Sequence, residues 1–435
     1  MLHTLYVDMN SFFASVEQQL DPKLRGRPVA VVPLKADTTT VIAASYEAKA
    51  FGVKTGVLVG DARRMCPGLV LVTGNHETYI RVHHQIRDAI DAVIPVHSVC
   101  SVDEFACHLA RAERTPDRAA DVARRIKRSI AARCGAFLKC SIGIAPNRFL
   151  AKVAADMRKP DGLTILQRHE LPQCLYALDL IDLPGIGKRM LERLRAAGIS
   201  SIERLCALGE AELGRAWGSV VGQYWYHRLR GEVERDETTL RRTVGHSHVL
   251  SPERREDSAA RAVGVRLLTK VGQRARHLGY VGEELTLSVR YLGPRRPSAG
   301  QPHASPKWHG SVKVGGVNDT RTLLAAFAEL WDAKPKGRVF KLGLTLSGLT
   351  PRGSATGLLF EERRDPDRLS KAMDAINRRY GADVLFPASM HQARKAAPRR
   401  IAFGNIPDLD VPDISIEGSD GRPAEEGNPH DRRIV

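Results

Sequence analysis

The sequence predicts an α+β protein of several domains, and three observations support this prediction. The chain has 435 residues, which is enough for roughly two to four domains with separate hydrophobic cores. Hydrophobic residues make up 43% and charged residues 26%, as in ordinary globular proteins. A block of alternating strands and helices is followed by a helical block and then by a second mixed block.

The first block covers residues 1–165. Short hydrophobic runs predict buried strands, whereas apolar residues spaced three and four apart on polar segments predict amphipathic helices. The predicted strands are Leu5–Val7, Val29–Val32, a pair around a turn within Val99–Leu109, and Ala136–Ile144. The predicted helices are Ser11–Leu20, 77–94 and 117–133.

The remainder of the chain is predicted to form a helical block, a mixed block and a tail. Residues 166–232 are helical around the turn Leu183–Lys188, and 233–243 are a polar linker. The mixed block, 244–388, contains predicted strands at Glu284–Tyr291 and Val339–Leu346, helices at Ser258–Leu278 and Pro366–Tyr380, and a loop at Pro294–Pro306. Residues 389–435 have few apolar side chains, so this tail is predicted to be largely disordered.

The charge of the chain is strongly basic and unevenly distributed. The net charge is +17, and residues 241–390 alone carry +12 whereas 391–435 carry −1. A basic excess concentrated in one segment indicates a polyanionic partner, with nucleic acid as the first candidate. An anionic membrane surface is the second candidate, although no strongly amphipathic basic helix supports it.

Several other classes are disfavoured. The seven cysteines are scattered without a CxxC pair, which argues against a zinc site and a disulfide framework. No apolar run is long enough for a membrane span, and the N-terminus lacks the basic start of a signal peptide. We therefore expect a cytoplasmic protein without a membrane partner.

Three acidic residues stand at strand ends. Asp8 follows the first hydrophobic strand, and Asp103 and Glu104 occupy the predicted turn between two later strands. Carboxylates that converge repel each other unless cations lie between them, and hard oxygen ligands suit Mg²⁺. Two such ions can support an in-line displacement at phosphorus. Taken alone, however, an acid pair at a turn is more often ordinary surface.

The surrounding motifs resemble the Y-family DNA polymerases, specifically their DinB or polymerase IV branch. Four segments carry the resemblance, in family order and spacing, and together with the helical block the similarity covers roughly residues 1–390. They are Asp8–Glu17, Ser45–Val53, Ser101–Glu104 and Ser141–Lys152, the last followed by Asp156, Lys159, Pro160 and Gly162. Each segment alone is weak, but the set is highly specific.

The resemblance implies a right-hand polymerase with a ferredoxin-like palm, small fingers, a helical helix-hairpin-helix thumb and a C-terminal α/β little finger. The implied domain bounds are palm 1–18 and 77–165, fingers 19–76, thumb 166–232, linker 233–243 and little finger 244–388. The implied activity is template-directed addition of dNTPs to a primer, with low fidelity, past damaged template bases.

The resemblance also assigns the catalytic centre. Asp8 and Asp103 would hold two Mg²⁺ ions, which Mn²⁺ could replace, with help from the Met9 carbonyl. Glu104 would lie beside the primer terminus and help place the metal that activates the 3′-hydroxyl. Phe12 and Phe13 would face the nucleotide, and the Phe13 ring would exclude the 2′-hydroxyl of a ribonucleotide. The alternative for Phe13 is plain core packing.

Three further side chains, Tyr46, Lys49 and Lys159, would contact the triphosphate. Lys49 departs from the Arg of many relatives and loses bidentate geometry. Asn10 replaces an acid that many relatives carry, so the ion requirement could differ.

The DNA contacts implied by the resemblance lie in the thumb and the little finger. Gly185, Gly187 and Lys188 would let the thumb backbone approach a phosphate, with an ordinary helix–turn–helix corner as the alternative. Arg241, Arg242, Lys313 and Lys341 are candidate phosphate contacts, with solvated surface charge as the alternative. The peptide Leu358–Phe360, with Leu359 at its centre, loosely resembles a sliding-clamp motif, with a core strand end as the alternative. We expect a monomer that binds primer-template DNA and dNTPs.

Two other functions remain open from the sequence. A non-catalytic DNA-binding accessory of a mutagenesis complex fits the charge but not the three intact acids. A two-metal nuclease fits the acids and the charge but leaves Phe13, Tyr46 and Lys159 unexplained.

Overall fold

The computed structural model describes residues 1–232, 241–293, 306–354, 366–381 and 383–397. The chain divides into two compact units, one on each side of the segment 233–240. None of the helices in these ranges has the length and apolar character needed to cross a bilayer.

The first unit contains eight strands and ten α-helices among its described residues. The strands are β1 (Thr4–Met9), β2 (Val29–Val32), β3 (Ala43–Ala44), β4 (Val70–Thr73), β5 (Val96–Ser101), β6 (Glu104–His108), β7 (Cys140–Ala145) and β8 (Leu163–Ile165). The helices are α1 (Phe12–Leu20), α2 (Tyr46–Ala50), α3 (Val59–Met65), α4 (His76–Asp91), α5 (Pro116–Arg133), α6 (Arg148–Met157), α7 (Lys188–Ala196), α8 (Ile202–Ala207), α9 (Glu210–Trp217) and α10 (Val221–Leu229).

The main sheet of this unit has the order β5-β6-β1-β7-β8. All its pairs are antiparallel except β7–β8. The succession β1, α4, β5, β6, α5, β7 with β1 inside the sheet is the ferredoxin-like arrangement predicted for a palm. Because successive strand residues point to opposite faces, β1 supplies Leu5, Val7 and Met9 to the core shared with α4 and α5. Tyr6 faces the other side, towards α6.

Two smaller layers complete the first unit. The strands β2, β3 and β4 form a three-stranded sheet that packs with α2 and α3 around its own core. The helices α7 to α10 pack with α6 in a third core. In the turn before α7, Gly185 has a φ of 101°, a conformation that other residues rarely adopt.

The described strands of the second unit are β9 (Thr243–Val249), β10 (Tyr280–Tyr291), β11 (Lys307–Val317), β12 (Val339–Ser347) and the short β13 (Thr350–Pro351), and its helices are α11 (Asp257–His277), α12 (Thr320–Ala333) and α13 (Pro366–Tyr380). The strands form one antiparallel sheet in the order β11-β10-β12-β9, with β13 paired to β10 as a fifth strand, and helices cover one face of this sheet.

The C-terminal tail begins later than the sequence predicts. The structure continues to Ala397, and Met390, Ala393, Ala396 and Ala397 are buried in the core of the second unit. The Arg266 guanidinium on α11, itself buried, donates to the Ala396 carbonyl, so small apolar side chains and one buried cation hold this segment. The predicted disorder is therefore wrong for residues 389–397.

Smaller differences concern strand ends. The first strand extends through Asp8 to Met9 rather than ending before the acid, and it lies between β6 and β7 in its sheet. The predicted strand Ala136–Ile144 begins only at Cys140. The loop 294–305, most of the linker and the Leu358–Phe360 peptide lie outside the described residues.

Candidate active site

Two acids share one face of the main sheet. Asp8 in β1 is the register partner of Glu104 in β6, and directly opposed residues on neighbouring strands point to the same face. Asp8 is only 4% exposed, and its face is the one covered by α6. Burial raises the pKa of the Tyr6 hydroxyl on this face, and its contacts with Glu104 and Cys100 raise it further.

Asp103 reaches the same place from a tight turn. Residues 102 and 103 connect β5 to β6, the turn that the sequence predicts. The Ser101 hydroxyl donates to Asp103 Oδ1 at 2.5 Å, and the Met9 N–H donates to the Asp103 carbonyl at 2.9 Å. Burial, together with the charges of Asp8 and Glu104, raises the pKa of Asp103 to about 6.

The helix α6 brings a lysine between these acids. Lys152 Nζ contacts Asp8 Oδ2, lies 2.6 Å from Glu104 Oε1 and lies 3.2 Å from Asp156 Oδ1. Burial lowers the pKa of Lys152, but the three carboxylates outweigh burial and the pKa is raised. The close approach of α6 requires Gly143 in β7, because a Cβ there would lie 2.0 Å from the Ala151 carbonyl oxygen.

Lys159 adds a second ammonium group. Its Nζ lies 2.8 Å from Asp8 Oδ2 and 2.7 Å from Asp156 Oδ1. Burial lowers the pKa of Lys159, but Asp8 and Asp156 raise it more, and the net shift is upward. Asp8 is thus shared by two ammonium groups, so the local structure already favours positive charge at this point.

The site residues surround one cleft of about 340 Å³. It is lined by Asp8, Met9, Ser11, Phe12, Phe13, Ile42, Ala43, Ala44, Lys49, Thr55, Asp103, Glu104, Lys152 and Lys159. The structure therefore brings together all of the predicted catalytic residues and most of the predicted nucleotide contacts. Tyr46 joins them through Lys49, whose Nζ lies 4.4 Å from the Tyr46 ring centre.

Phe13 is fixed by an aromatic stack. Its ring is parallel to that of Tyr79 on α4, with centroids 4.3 Å apart and an interplanar angle of 17°. The Tyr79 hydroxyl donates to Glu17 Oε1 at 2.6 Å, which ties the stack back to α1. Phe13 is therefore a rigid wall of the cleft as well as a member of the core, and the two interpretations of its role are compatible.

Lys49 lines the cleft and is held there by a hydrogen bond. Its Nζ donates to Ser11 Oγ at 2.7 Å. Burial and the nearby charge of Lys159 lower the pKa of Lys49. Burial also raises the pKa of Tyr46. Lys49 and Lys159 thus both line the cleft with perturbed pKa values, which marks them as candidate functional residues.

The Asn10 side chain makes structural hydrogen bonds that the sequence does not reveal. Its Oδ1 accepts the backbone N–H of Asp161 at 2.7 Å, and its Nδ2 donates to Ser141 Oγ at 3.1 Å. The side chain thereby ties β1 to the segment that carries Lys159, and it is absent from the cleft lining.

Sequence reasoning assigned no role to Lys152 and Asp156, which the structure places among the predicted acids, although both were quoted for the resemblance. Their spacing of four residues on a helix that directly follows a strand of the sheet was the available signal, since such residues share one helix face. The contact of Lys152 with the predicted acids Asp8 and Glu104 became visible only in the folded structure.

The candidate DNA contacts are exposed except for Lys341, which is half-buried. Gly187 precedes α7, Lys188 begins it, and the preceding residues form only a short 3-10 turn, Leu180–Asp182, rather than an α-helix. In the second unit, Arg241 and Arg242 precede β9. On the open face of its sheet, Lys313 stands opposite Glu284.

Three cations form a row across this open sheet face. Arg290 on β10 is the register partner of both Lys341 on β12 and Lys307 on β11. They border a surface depression of about 460 Å³.

Comparison with known proteins identifies the family. Residues 7–156 match the impB/mucB/samB family, and residues 241–359 match its C-terminal domain. The chain is 34% identical to DNA polymerase IV of Moorella thermoacetica over 391 residues, which cover 88% of this chain and 95% of that protein. This chain belongs to the DNA polymerase IV branch of the Y-family DNA polymerases.

Further relatives agree with this assignment. DNA polymerase IV 1 of Bacillus subtilis is 31% identical over 87% of this chain and 91% of its own length. A Y-family polymerase chimera of Dbh and Dpo4 superimposes with a TM-score of 0.65 at 23% identity, covering 80% of this chain and 99% of that one. DinB from Sulfolobus solfataricus gives a TM-score of 0.54 at 23% identity, with 79% and 98% coverage. The structures establish the right-hand polymerase fold, and the relatives establish a DNA-directed DNA polymerase of translesion synthesis.

Proposed function

We propose that this polymerase extends a primer by two-metal nucleotidyl transfer at the cleft around Asp8, Asp103 and Glu104, with low fidelity. One observation carries the proposal: the three acids share a cleft with Lys49 and Lys159, which are suited to a triphosphate, and with Phe13, which is suited to a sugar. A nuclease site has no need for this combination, because its substrate carries no triphosphate.

Divalent metal dependence is expected for the family, and the donor set fits it. Asp8, Asp103, Glu104 and the Met9 carbonyl offer only oxygen ligands, which suit Mg²⁺ and allow Mn²⁺ as a substitute. No group of three acidic, histidine or cysteine side chains within the described ranges is already arranged to hold an ion. Lys152 and Lys159 instead contact Glu104 and Asp8. When bound, the ions would activate the primer 3′-hydroxyl and neutralise the leaving pyrophosphate.

The basic side chains would bind and orient the nucleotide. Lys49 and Lys159 would offset the negative charge that develops on the phosphates during transfer, and Tyr46 would position Lys49. This assignment requires Lys159 to leave Asp8 and face the triphosphate, a short movement for a flexible four-carbon side chain.

Phe12 and Phe13 would select the sugar. Since Phe13 is locked against Tyr79, a 2′-hydroxyl would meet a ring that cannot move aside. We therefore propose that the enzyme prefers deoxynucleotides through shape rather than through hydrogen bonding. Phe12, which also lines the cleft, supports the Phe13 ring at a centroid distance of 5.6 Å.

Primer-template DNA would be held by the backbone at Gly185 and Gly187, by Lys188, and by the basic second unit. Such contacts are sequence-independent, as template copying requires. Two structurally similar proteins are ternary complexes of the DNA polymerase Dbh, which supports DNA and nucleotide as partners. We further propose that the enzyme is a monomer and docks on the sliding clamp through Leu358–Phe360. A double Leu359→Ala, Phe360→Ala variant that binds the clamp like the parent would contradict the docking.

Primer extension with single dNTPs tests the proposed function. The parent protein in Mg²⁺ should add the complementary nucleotide fastest and should also misinsert at a measurable rate. Glu104→Gln, which keeps the shape and removes the charge, should bind primer-template DNA like the parent but extend it far more slowly. Tight DNA binding without extension by the parent would instead support the accessory function.

A further inference from the structure

A histidine on the far side of the sheet contacts the turn that carries the acids. His83 lies on α4 and is 2% exposed. Its ring stacks on Phe105 of β6, with centroids 5.0 Å apart and an interplanar angle of 15°. The stack places the imidazole beneath the β5–β6 turn, on the face opposite to the cleft.

His83 makes one short hydrogen bond to this turn. Its Nδ1 lies 2.7 Å from the Val102 carbonyl oxygen. Because a carbonyl can only accept, Nδ1 carries the hydrogen and donates it, which fixes the tautomer. Burial lowers the pKa of His83 to about 4, so the ring is neutral near pH 7.

The two peptide groups that flank Asp103 are therefore both fixed. His83 holds the carbonyl before Asp103, and the Met9 N–H holds the Asp103 carbonyl itself. With both peptide planes fixed, the direction of the Asp103 side chain is determined. This matters because neighbouring residues of an ordinary strand point to opposite faces, whereas Asp103 and Glu104 both have to reach the cleft.

We propose that His83 is a positioning residue for catalysis, which orients the turn carrying Asp103 and Glu104 through its hydrogen bond to the Val102 carbonyl. The inference rests on the proposed role of these two acids in metal binding. An apolar residue of similar size would fill the same space in the core but would leave a buried carbonyl without this donor. The turn could then relax, and the acids would lose their alignment.

Three variants separate positioning from packing. His83→Leu keeps most of the volume and removes the donor. His83→Asn places an amide N–H at the same number of bonds from the backbone as Nδ1 and should restore the hydrogen bond. Ile90→Ala, a fully buried residue on the same helix, is the control for a general loss of stability.

The measurements are single-nucleotide incorporation and metal binding. His83→Leu should lower kcat roughly 10- to 100-fold, since small misplacements of catalytic groups are costly, while KM for the dNTP and the affinity for primer-template DNA stay within about threefold. The His83→Leu variant should also need a higher Mn²⁺ concentration for half-saturation. Electron paramagnetic resonance measures this binding without any turnover. His83→Asn should recover most of both losses.

Several outcomes would overturn the inference. His83→Leu could match the parent in kcat and Mn²⁺ binding, His83→Asn could be as impaired as His83→Leu, or Ile90→Ala at equal thermal stability could show the same losses. If the parent protein fails to extend a primer, the proposed function is wrong. If His83→Leu binds Mn²⁺ with unchanged affinity, only the positioning role of His83 is wrong.

Discussion

Lys152 places its ammonium group against the carboxylate of Asp8, a residue 144 positions earlier in the chain. The contact links the first strand of the sheet to the helix that covers it. Glu104 on the neighbouring strand approaches the same ammonium group at 2.6 Å. Lys152 therefore joins three segments of the chain that come together only in the folded protein.

Replacement of Lys152 should weaken folding as well as activity. In metal-free buffer at pH 7.5, Lys152→Met should lower the free energy of unfolding by roughly 1 to 3 kcal/mol, because buried carboxylates lose a charged partner. Arg81→Met is the control, since it breaks an exposed pair with Glu77 that is worth at most about 1 kcal/mol. Urea unfolding of both variants measures the difference. Equal effects would show that Lys152 does not stabilise the acids.

Phe13→Val should relax sugar selection. The smaller side chain opens the wall beside the sugar, so the rate of ribonucleotide relative to deoxynucleotide incorporation should rise by more than about tenfold, the discrimination expected for a few buried carbons. Val16→Ala on the same helix is buried away from the cleft lining and serves as the control. Parallel incorporation assays with dCTP and CTP give the ratio. An unchanged ratio would assign Phe13 to the core alone.

The row of cations on the second unit should contribute to DNA affinity without reading sequence. Lys341→Ala should weaken primer-template binding to every sequence alike and reduce the slope of log Kd against log salt by about 1, as expected for one lost phosphate contact. Lys371→Ala, an exposed lysine on α13, should leave the slope unchanged. Anisotropy titrations at several salt concentrations provide the test. A preference for one sequence, or equal effects of both variants, would contradict it.

A half-buried histidine on β9, His246, should make the second unit sensitive to acid. Burial, together with Lys270 and Arg274, lowers the pKa of His246 from 6.5 to about 3. Well above pH 6.5 the residue is neutral in both the folded and unfolded states, so its titration does not change the free energy of unfolding. As the pH falls below 6.5, only the unfolded chain takes up the proton, so stability decreases.

The matching variant is His246→Gln. Between pH 7.5 and 4.5 the parent should lose up to roughly 3 kcal/mol more of its free energy of unfolding than this variant. Urea unfolding at each pH gives both curves. Parallel curves would mean that His246 titrates normally in the folded protein.

The sequence predicted the elements better than their arrangement. Hydrophobic runs and helical spacing located β1, β2, α4, α5 and α13 to within a few residues, because these patterns depend on local burial. They could not show that Asp8 lies inside a central strand opposite Glu104, since strand order and register depend on distant segments.

The same reason explains the missed residues. Lys152 and His83 contact segments far away in the chain, and helical spacing alone does not show which segments these are. The segment around Met390 is rich in alanine and charge, which suggests disorder locally, yet its small side chains fit against α11. Local composition cannot reveal a partner surface that folding supplies.

The most direct test of the catalytic centre is primer extension by the parent and by Asp103→Ala, with Mg²⁺, one dNTP at a time and each of the four template bases. Primer-template binding by both proteins is measured alongside. We predict template-dependent addition by the parent and none by Asp103→Ala, at similar DNA affinity. Undiminished extension by Asp103→Ala would show that the acids gathered around Lys152 are not the catalytic centre.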